Sequence, residues 1–276
     1  FESVFKSEIK SRHIGIYGRI YQLAGASANH ELALTLSHVN EYFHFLHSKK
    51  LLSKDILGSL SFRIGIGSDY FMEIAKFRAL RILVRQLAKS YDLTDDIPIT
   101  IYAKNGILAF SANDPDTNIL RTTTACMSAV IGGCDHLILM PHDRLNTDFH
   151  EFGDRIARNI QLMMKHEAHL DKVSDAGSGS YYIEWLTKEL ANKAWDKFKE
   201  IEKSGGLIKE FKKGKIQENI NKDAEKRIEA FKDQKDIFIG INKFQNSKPL
   251  ENRKPEQFIS GGTYEALKPL ILENTI

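Results

Sequence analysis

The sequence predicts an α/β fold: four parallel βα units followed by a mainly helical segment. Three observations carry this reading. Up to about residue 170, short strand-like runs alternate with long helical stretches. The first three of those runs alternate small or polar residues with apolar ones. From about residue 171, helical periodicity, turn signals and one short apolar run are what remain.

The strand candidates are "HIGIYG" (13–18), "SLSFRIGIG" (59–67), "ITIYAKNG" (99–106) and "HLILMPHD" (136–143). Helical stretches lie near 28–50, 69–91 and 115–131. In the second of these, Phe71, Ile74, Phe77, Leu80, Leu83 and Val84 make an apolar stripe at three-to-four spacing, with Arg78 beside it. A parallel strand covered on both faces should be apolar throughout, and the first three are not. Gly15, Tyr17 and Arg19 oppose Ile14, Ile16 and Gly18; Ser59, Ser61 and Arg63 oppose Leu60, Phe62 and Ile64; Thr100, Tyr102 and Lys104 oppose Ile99, Ile101 and Ala103. One face takes the helices and the other is small and polar. A (β/α)8 barrel with a wet or ligand-threaded lumen explains that, and so does a sheet whose second face meets water or another chain. Four units are half of what such a barrel needs, so the complement lies upstream or on another chain.

After residue 171, "SDAGSGSYY" (174–182) is a turn-rich loop with Ser180 as N-cap of the next helix. Ile183, Leu186, Leu190, Ala194, Phe198 and Ile201 line one face of that helix, and Gly205 or Gly206 stops it. A Lys/Glu-laced helix near 215–233 presents a solvated face. "DIFIGINKF" (236–244) reads as one more short strand, and the rest is polar connection. The boundaries so read are a half-barrel domain over 1–170, a helical extension with one short strand over 171–245, and a polar tail over 246–276.

The totals narrow the function classes. Of 276 residues, 42% are hydrophobic and 27% charged, enough for a sizeable core. Thirty-nine basic and 36 acidic side chains leave a net charge of +3, which gives no electrostatic reason to expect nucleic acid or a membrane surface. No apolar run approaches the ~18 residues of a membrane span. "FESVFKSEIKSRH" lacks the apolar centre of a signal peptide and an initiator Met, so the expectation is a piece of a longer product. Two cysteines, Cys126 and Cys134, read as small apolar residues in a reducing compartment, hence a cytoplasmic protein, or a mitochondrial-matrix one in a eukaryote.

Most chemical motifs fail on spacing. In "KHEAH" (165–169), His166 and His169 are three apart, whereas a helical zinc pair needs four, and no third ligand stands out. "GIGSDY" (65–70) puts Tyr70 where a dinucleotide loop needs its third glycine. No G-x-S-x-G, P-loop or C-x-x-C occurs, so no metal is expected. "DFHEFG" (148–153) fits Asp-x-His-x-x-Gly, a cobalt-ligating loop of vitamin B12 enzymes. Here it runs straight into a helix, and Asp148, Glu151 and Asp154 suit that helix's positive end. His150 is therefore read as a coincidence. The strand ends remain, offering Arg19, Ile20 and Gln22; Ser61 and Arg63; Tyr102 and Lys104; and His142 with Asp143. Such a set can hold an anion or an amide; a structural polar lining is the plainer reading.

Several stretches together resemble the methylmalonyl-CoA mutase family. "FGDRIARNIQLMMKHEAHLDKVSDAGSGSYYIEWLTKELANKAW" resembles its R-I-A-R-N-T-Q, V-x-D-P-x-G-G-S-Y and A-x-x-A-W segments. "QLAGASANHELALTL" resembles Q-E-A-G-A-T-A-x-x-E-L-A-Y-T-L, "LSFRIGIGSDYFMEIAKFRALR" resembles L-S-F-F-W-G-I-G-x-N-F-F-M-E-I-A-K-x-R-A-x-R, and "DIFIGINKF" resembles V-G-V-N-K-Y. The likeness runs to about residue 245. It implies the second half of an acyl-CoA barrel and the helices after it. It further implies succinyl-CoA/methylmalonyl-CoA isomerisation with adenosylcobalamin, acyl-CoA threading the barrel.

The departures from the family pattern decide the expected role. G-Y-H-M-Q-E-A-G reads Gly18, Arg19, Ile20, Tyr21, Gln22, Leu23, Ala24, Gly25, so the family's histidine is Ile20. The arginine of P-R-L-S-F is lost, although Ser61 stays. H-C-Q-T-S-G begins with Tyr102 in place of His and carries Lys104 in place of Gln. Framework is kept while contact residues are lost, which resembles the small, non-catalytic subunit of a heterodimer. That likeness implies a homologous catalytic large subunit as partner and adenosylcobalamin in the complex, with none bound to this chain alone. It leaves no catalytic residue here, and Arg19, Gln22, Ser61, Tyr102 and Lys104 as substrate-side candidates. Self-association of an isolated half-barrel is also expected. The alternative is an active acyl-CoA mutase of altered acyl specificity, with Arg19, Tyr102 and Lys104 taking the acyl carboxylate.

Overall fold

A computed structural model describes residues 14–93, 97–146, 151–245, 270 and 272. Four parallel strands form one sheet in the order β1 (Ile14–Tyr17), β2 (Leu60–Ile66), β3 (Thr100–Asn105), β4 (His136–Ile138). Spatial order follows chain order, so every crossover turns the same way and its helices land on the same face. Those crossovers hold α1 (Arg19–Leu23), α2 (Ala28–Ser48) and α3 (Lys54–Gly58), then α4 (Tyr70–Lys89), then α5 (Thr117–Ile131). After β4 come α6 (Glu151–His166), a 3-10 turn (Leu170–Lys172), α7 (Tyr181–Ser204), α8 (Leu207–Lys212) and α9 (Lys215–Lys232). The architecture is α/β, four βα units of a partial barrel plus a helical part.

The two faces of the sheet separate as their alternation predicts. Ile14, Ile16, Leu60, Phe62, Ile64, Ile101 and Ala103 are buried against the helices. They share one core with Leu36 and Phe43 of α2 and with Phe77, Leu80 and Val84 of α4. Across that helical layer lies α7, whose Leu186, Leu190, Ala194 and Phe198 join the same core. A fully buried aromatic such as Phe62 or Phe77 is worth about 3–5 kcal/mol against truncation to Ala.

Local chemistry sets the ends. Asp69 caps α4, accepting from Met72 N at 3.2 Å. Ser180 sits at the N-cap of α7 but makes no side-chain cap bond. Glu184, in the first turn, instead accepts from Gly179 N and pairs with Arg78 at 2.5 Å. Gly205, at φ 119°, is the left-handed stop.

Three expectations are corrected. The run 136–143 pairs as a strand only over His136–Ile138, because Met140 N bonds the Asn105 side chain at 2.7 Å instead of a neighbouring backbone carbonyl. "DIFIGINKF" is not a strand. Its Asn242 amide bonds the carbonyls of Phe231 and Asp236 and accepts from Phe238 N, and Gly240 N bonds Lys243 O, winding the segment into a turn. Phe71 leaves the buried stripe of α4 and is 45% exposed, packed edge-on against Tyr182. Cys126 is buried and Cys134 half-buried; burial pushes both thiols up to about 12. Among the described residues, no helix is long and apolar enough to cross a membrane.

Candidate functional site

Among the described residues, the second face of the sheet leaves Tyr17, Arg63 and His136 exposed, and it has a layered register. The deepest layer is Gly15, Ser61 and Thr100; the next is Tyr17, Arg63, Tyr102 and His136; the last is Gly65, Lys104 and Ile138. Partners across parallel strands point the same way, so each layer is a row of neighbours. The middle row is a ladder. The Arg63 guanidinium carbon lies 4.7 Å from the centre of the Tyr17 ring and 5.8 Å from that of Tyr102. Tyr102 in turn stacks on His136, with centroids 4.2 Å apart and rings inclined by 16°. Gly15 makes room for this, since a Cβ there would come within 2.8 Å of the Tyr17 ring.

Arg19 follows β1 and reaches across to the end of β3. Its Nη2 approaches Asn105 O at 3.4 Å and Met140 Sδ at 3.6 Å, and its buried Nε has no partner among the described residues. Lys104, one residue before Asn105, faces Gly65 and so has no neighbouring side chain on that strand. Burial holds the Lys104 ammonium below the ordinary lysine range, helped by Arg19, Arg144 and Arg63. Burial also pulls Arg19 down, with Glu31 pulling the other way.

Gln22 sits over the strand ends, 4% exposed, its Oε1 unpaired among the described residues. A Cβ on Gly65 would come within 2.6 Å of that oxygen, so the missing side chain at Gly65 is what admits the amide. Ser61 is 4% exposed and donates to Ile14 O at 3.3 Å, a bond between the first two strands deep in the sheet. Ile20 turns away from the sheet and packs on the cluster of Tyr21, Leu34, Leu207 and Ile220. Of the residues expected at the site, Arg19, Tyr102 and Lys104 come together with Arg63 on the open face. Gln22 borders them and Ser61 lies below. His150 is outside the described residues. His166 ends α6, while His169 sits in a left-handed turn, so the two share no helical face.

Sequence reasoning missed a buried ionic trio behind Gln22. Lys76 Nζ lies 2.8 Å from Glu31 Oε2 and 2.6 Å from Glu73 Oε2, with all three side chains buried. Glu31 Oε1 also accepts from Gly65 N at 3.0 Å, tying the trio to β2. Burial pushes Glu73 up against the pull of Lys76. Burial opposes the Lys76 charge, but Glu31 and Glu73 hold it above the ordinary lysine range. The available signal was Glu73 and Lys76 in register with the apolar stripe of α4. The trio floors a cleft of about 1000 Å³ that Gln22, Arg121 and Trp185 also line.

The open face can bind and orient an anion. It has an arginine lying against two phenol rings, a second arginine and a lysine, while Ile20, the neighbour of Arg19 in the chain, packs away from them in an apolar cluster. Fold and site thus define a chain of the (β/α)-barrel class with a cationic inner face at the carboxyl ends of its strands. The chain belongs to the methylmalonyl-CoA mutase family, whose model matches residues 1–268. It is 38% identical over 226 residues to the methylmalonyl-CoA mutase small subunit of Porphyromonas gingivalis, covering 81% of this chain and 37% of that one. It is 36% identical over 256 residues to the methylmalonyl-CoA mutase of Rhizobium meliloti, covering 92% and 35%. With the large subunit of Propionibacterium freudenreichii it shares 33% over 248 residues, 89% and 34%. The chain spans little more than a third of the length of these relatives.

Proposed function

We propose that this chain is barrel scaffold from the small subunit of an adenosylcobalamin-dependent methylmalonyl-CoA mutase, non-catalytic itself and supporting a homologous catalytic large subunit. The observation that carries the reading is Ile20. It occupies the position of the family's histidine and packs into an apolar cluster with Leu207 of α8 and Ile220 of α9. An aliphatic side chain held there neither donates a hydrogen bond nor moves a proton. The middle row supports the same role: Arg63 stands where the family pattern has Phe and lies against Tyr17 and Tyr102, a lining unlike the one the family pattern gives an acyl-CoA barrel.

This reading places no cobalamin on this chain, and the packing at Gly153 supports it. Gly153, the last residue of the Asp-x-His-x-x-Gly match, lies inside α6. A Cβ there would meet Asp143 Oδ1 at 2.3 Å, so close helix packing accounts for the glycine. No step is routed through the cofactor in this chain.

The test is turnover of methylmalonyl-CoA with adenosylcobalamin by the full chain, alone and with a large subunit. The chain alone should be inactive, and Ile20→His should not create activity. Turnover without a partner would overturn the reading.

A further inference from the structure

We propose that the carboxyl end of the open sheet face is an anion-binding site in its own right, taking a compact, multiply charged oxyanion through Arg19, Lys104 and Arg63. Among the described residues, none of these three cations makes an ion pair. Arg19 has a long contact to a carbonyl, another to a sulfur, and a buried Nε with no partner. Arg63 has only aromatic rings. Lys104 has Gly65 beside it and no acceptor. The carboxylate that acts on Arg19, Glu31, is committed to Lys76 and to Gly65 N.

Bringing like charges together in a partly dry place is costly unless an opposite charge joins them. A buried guanidinium nitrogen without an acceptor is costly in the same way. Arg63 and Lys104 share one face of neighbouring strands, Arg19 reaches the residue after Lys104 and adds an orphan donor, and one ligand with several acceptor oxygens relieves both costs. The setting is prepared for it. The Tyr17 and Tyr102 rings lie against Arg63, and Asn105 O contacts Arg19 at the end of β3, so part of the side-chain order is already in place. An acidic ligand fits this face, whereas a second copy would set the same cations against each other. All three positions are cationic where the family pattern has Tyr, Phe and Gln, so the site belongs to this chain and does not depend on mutase chemistry.

The test uses the full chain at low ionic strength, titrated calorimetrically with inorganic phosphate and, separately, with succinate. One saturable site per chain is expected for at least one of them. Stronger phosphate binding would assign the natural ligand a phosphoryl group, and stronger succinate binding a dicarboxylate. Arg19→Met and Lys104→Met should each weaken binding by about tenfold or more, the loss of a charge-assisted contact, while Lys104→Arg retains it. Lys193→Met, on α7, should change nothing. No saturable binding at millimolar ligand, or equal weakening by Lys193→Met, would overturn the site. Neither result bears on turnover, so the scaffold role stands or falls separately.

Discussion

One carboxylate oxygen, Asp223 Oδ2 on α9, lies 2.5 Å from His30 Nδ1 and 2.5 Å from Ser27 Oγ, and also accepts from Ser27 N at 2.9 Å. By residue type this is a hydrolase triad; by connectivity it is not. The serine hydroxyl donates to the acid instead of to the histidine, so no base can activate it. What the contact does is join α9 to the start of α2, where the carboxylate also meets the positive end of that helix.

Asp223 therefore gives the fold an acid sensitivity. Burial alone would raise its carboxyl, but the bonds from His30 and Ser27 hold it down to about 2, below the ordinary 3.8. A depressed acid stabilises the fold above its unfolded value and loses that contribution as pH falls through its folded one. Denaturant unfolding followed by circular dichroism should show stability falling between about pH 4 and pH 2. Asp223→Asn should be less stable at pH 7 by about 1–3 kcal/mol and lack that component of the acid loss.

The buried trio makes a different prediction. Lys76→Met leaves Glu31 and Glu73 buried together without a cation and should cost about 3–5 kcal/mol. Replacing all three, Glu31→Gln with Glu73→Gln and Lys76→Met, removes every charge and should cost less than Lys76→Met alone. Chemical denaturation of the two variants checks the order.

Adjacent residues on β2 should respond oppositely. Phe62 is fully buried on the helix face, and Phe62→Ala should cost about 3–5 kcal/mol. Arg63 is exposed on the open face, and Arg63→Ala should cost under about 1 kcal/mol, the worth of its ring contacts. Comparable losses at both positions would mean that the open face is packed in solution.

Gly153→Ala should destabilise through overpacking alone, by about 1–3 kcal/mol, because its Cβ would meet the Asp143 carboxylate. Thermal unfolding measures the loss. Addition of cobalamin should leave the melting temperatures of wild type and variant unchanged; a shift in the wild type would restore the cobalt reading.

Much of the fold was legible because its causes are local. Alternation along β1 to β3 marked both faces of the sheet, since side chains reverse at each residue of a strand. The stripe on α7 and the stop at Gly205 were equally readable, because helical period and left-handed glycine are short-range properties. Legibility failed where distant groups compete for the same backbone. The strand after His136 stops early because Asn105, far back in the chain, takes Met140 N, and the turn at 236–244 depends on Asn242 reaching Phe231. The site divides along the same line. The residue types alone marked Arg19, Tyr102 and Lys104 as polar strand-end groups. Only the tertiary structure set Arg63 between two tyrosines, left Arg19 with no ion pair among the described residues, and enclosed Lys76 between Glu31 and Glu73. Those relationships turn on register and crossover packing, which bring together residues tens of positions apart and leave no periodic trace in the chain.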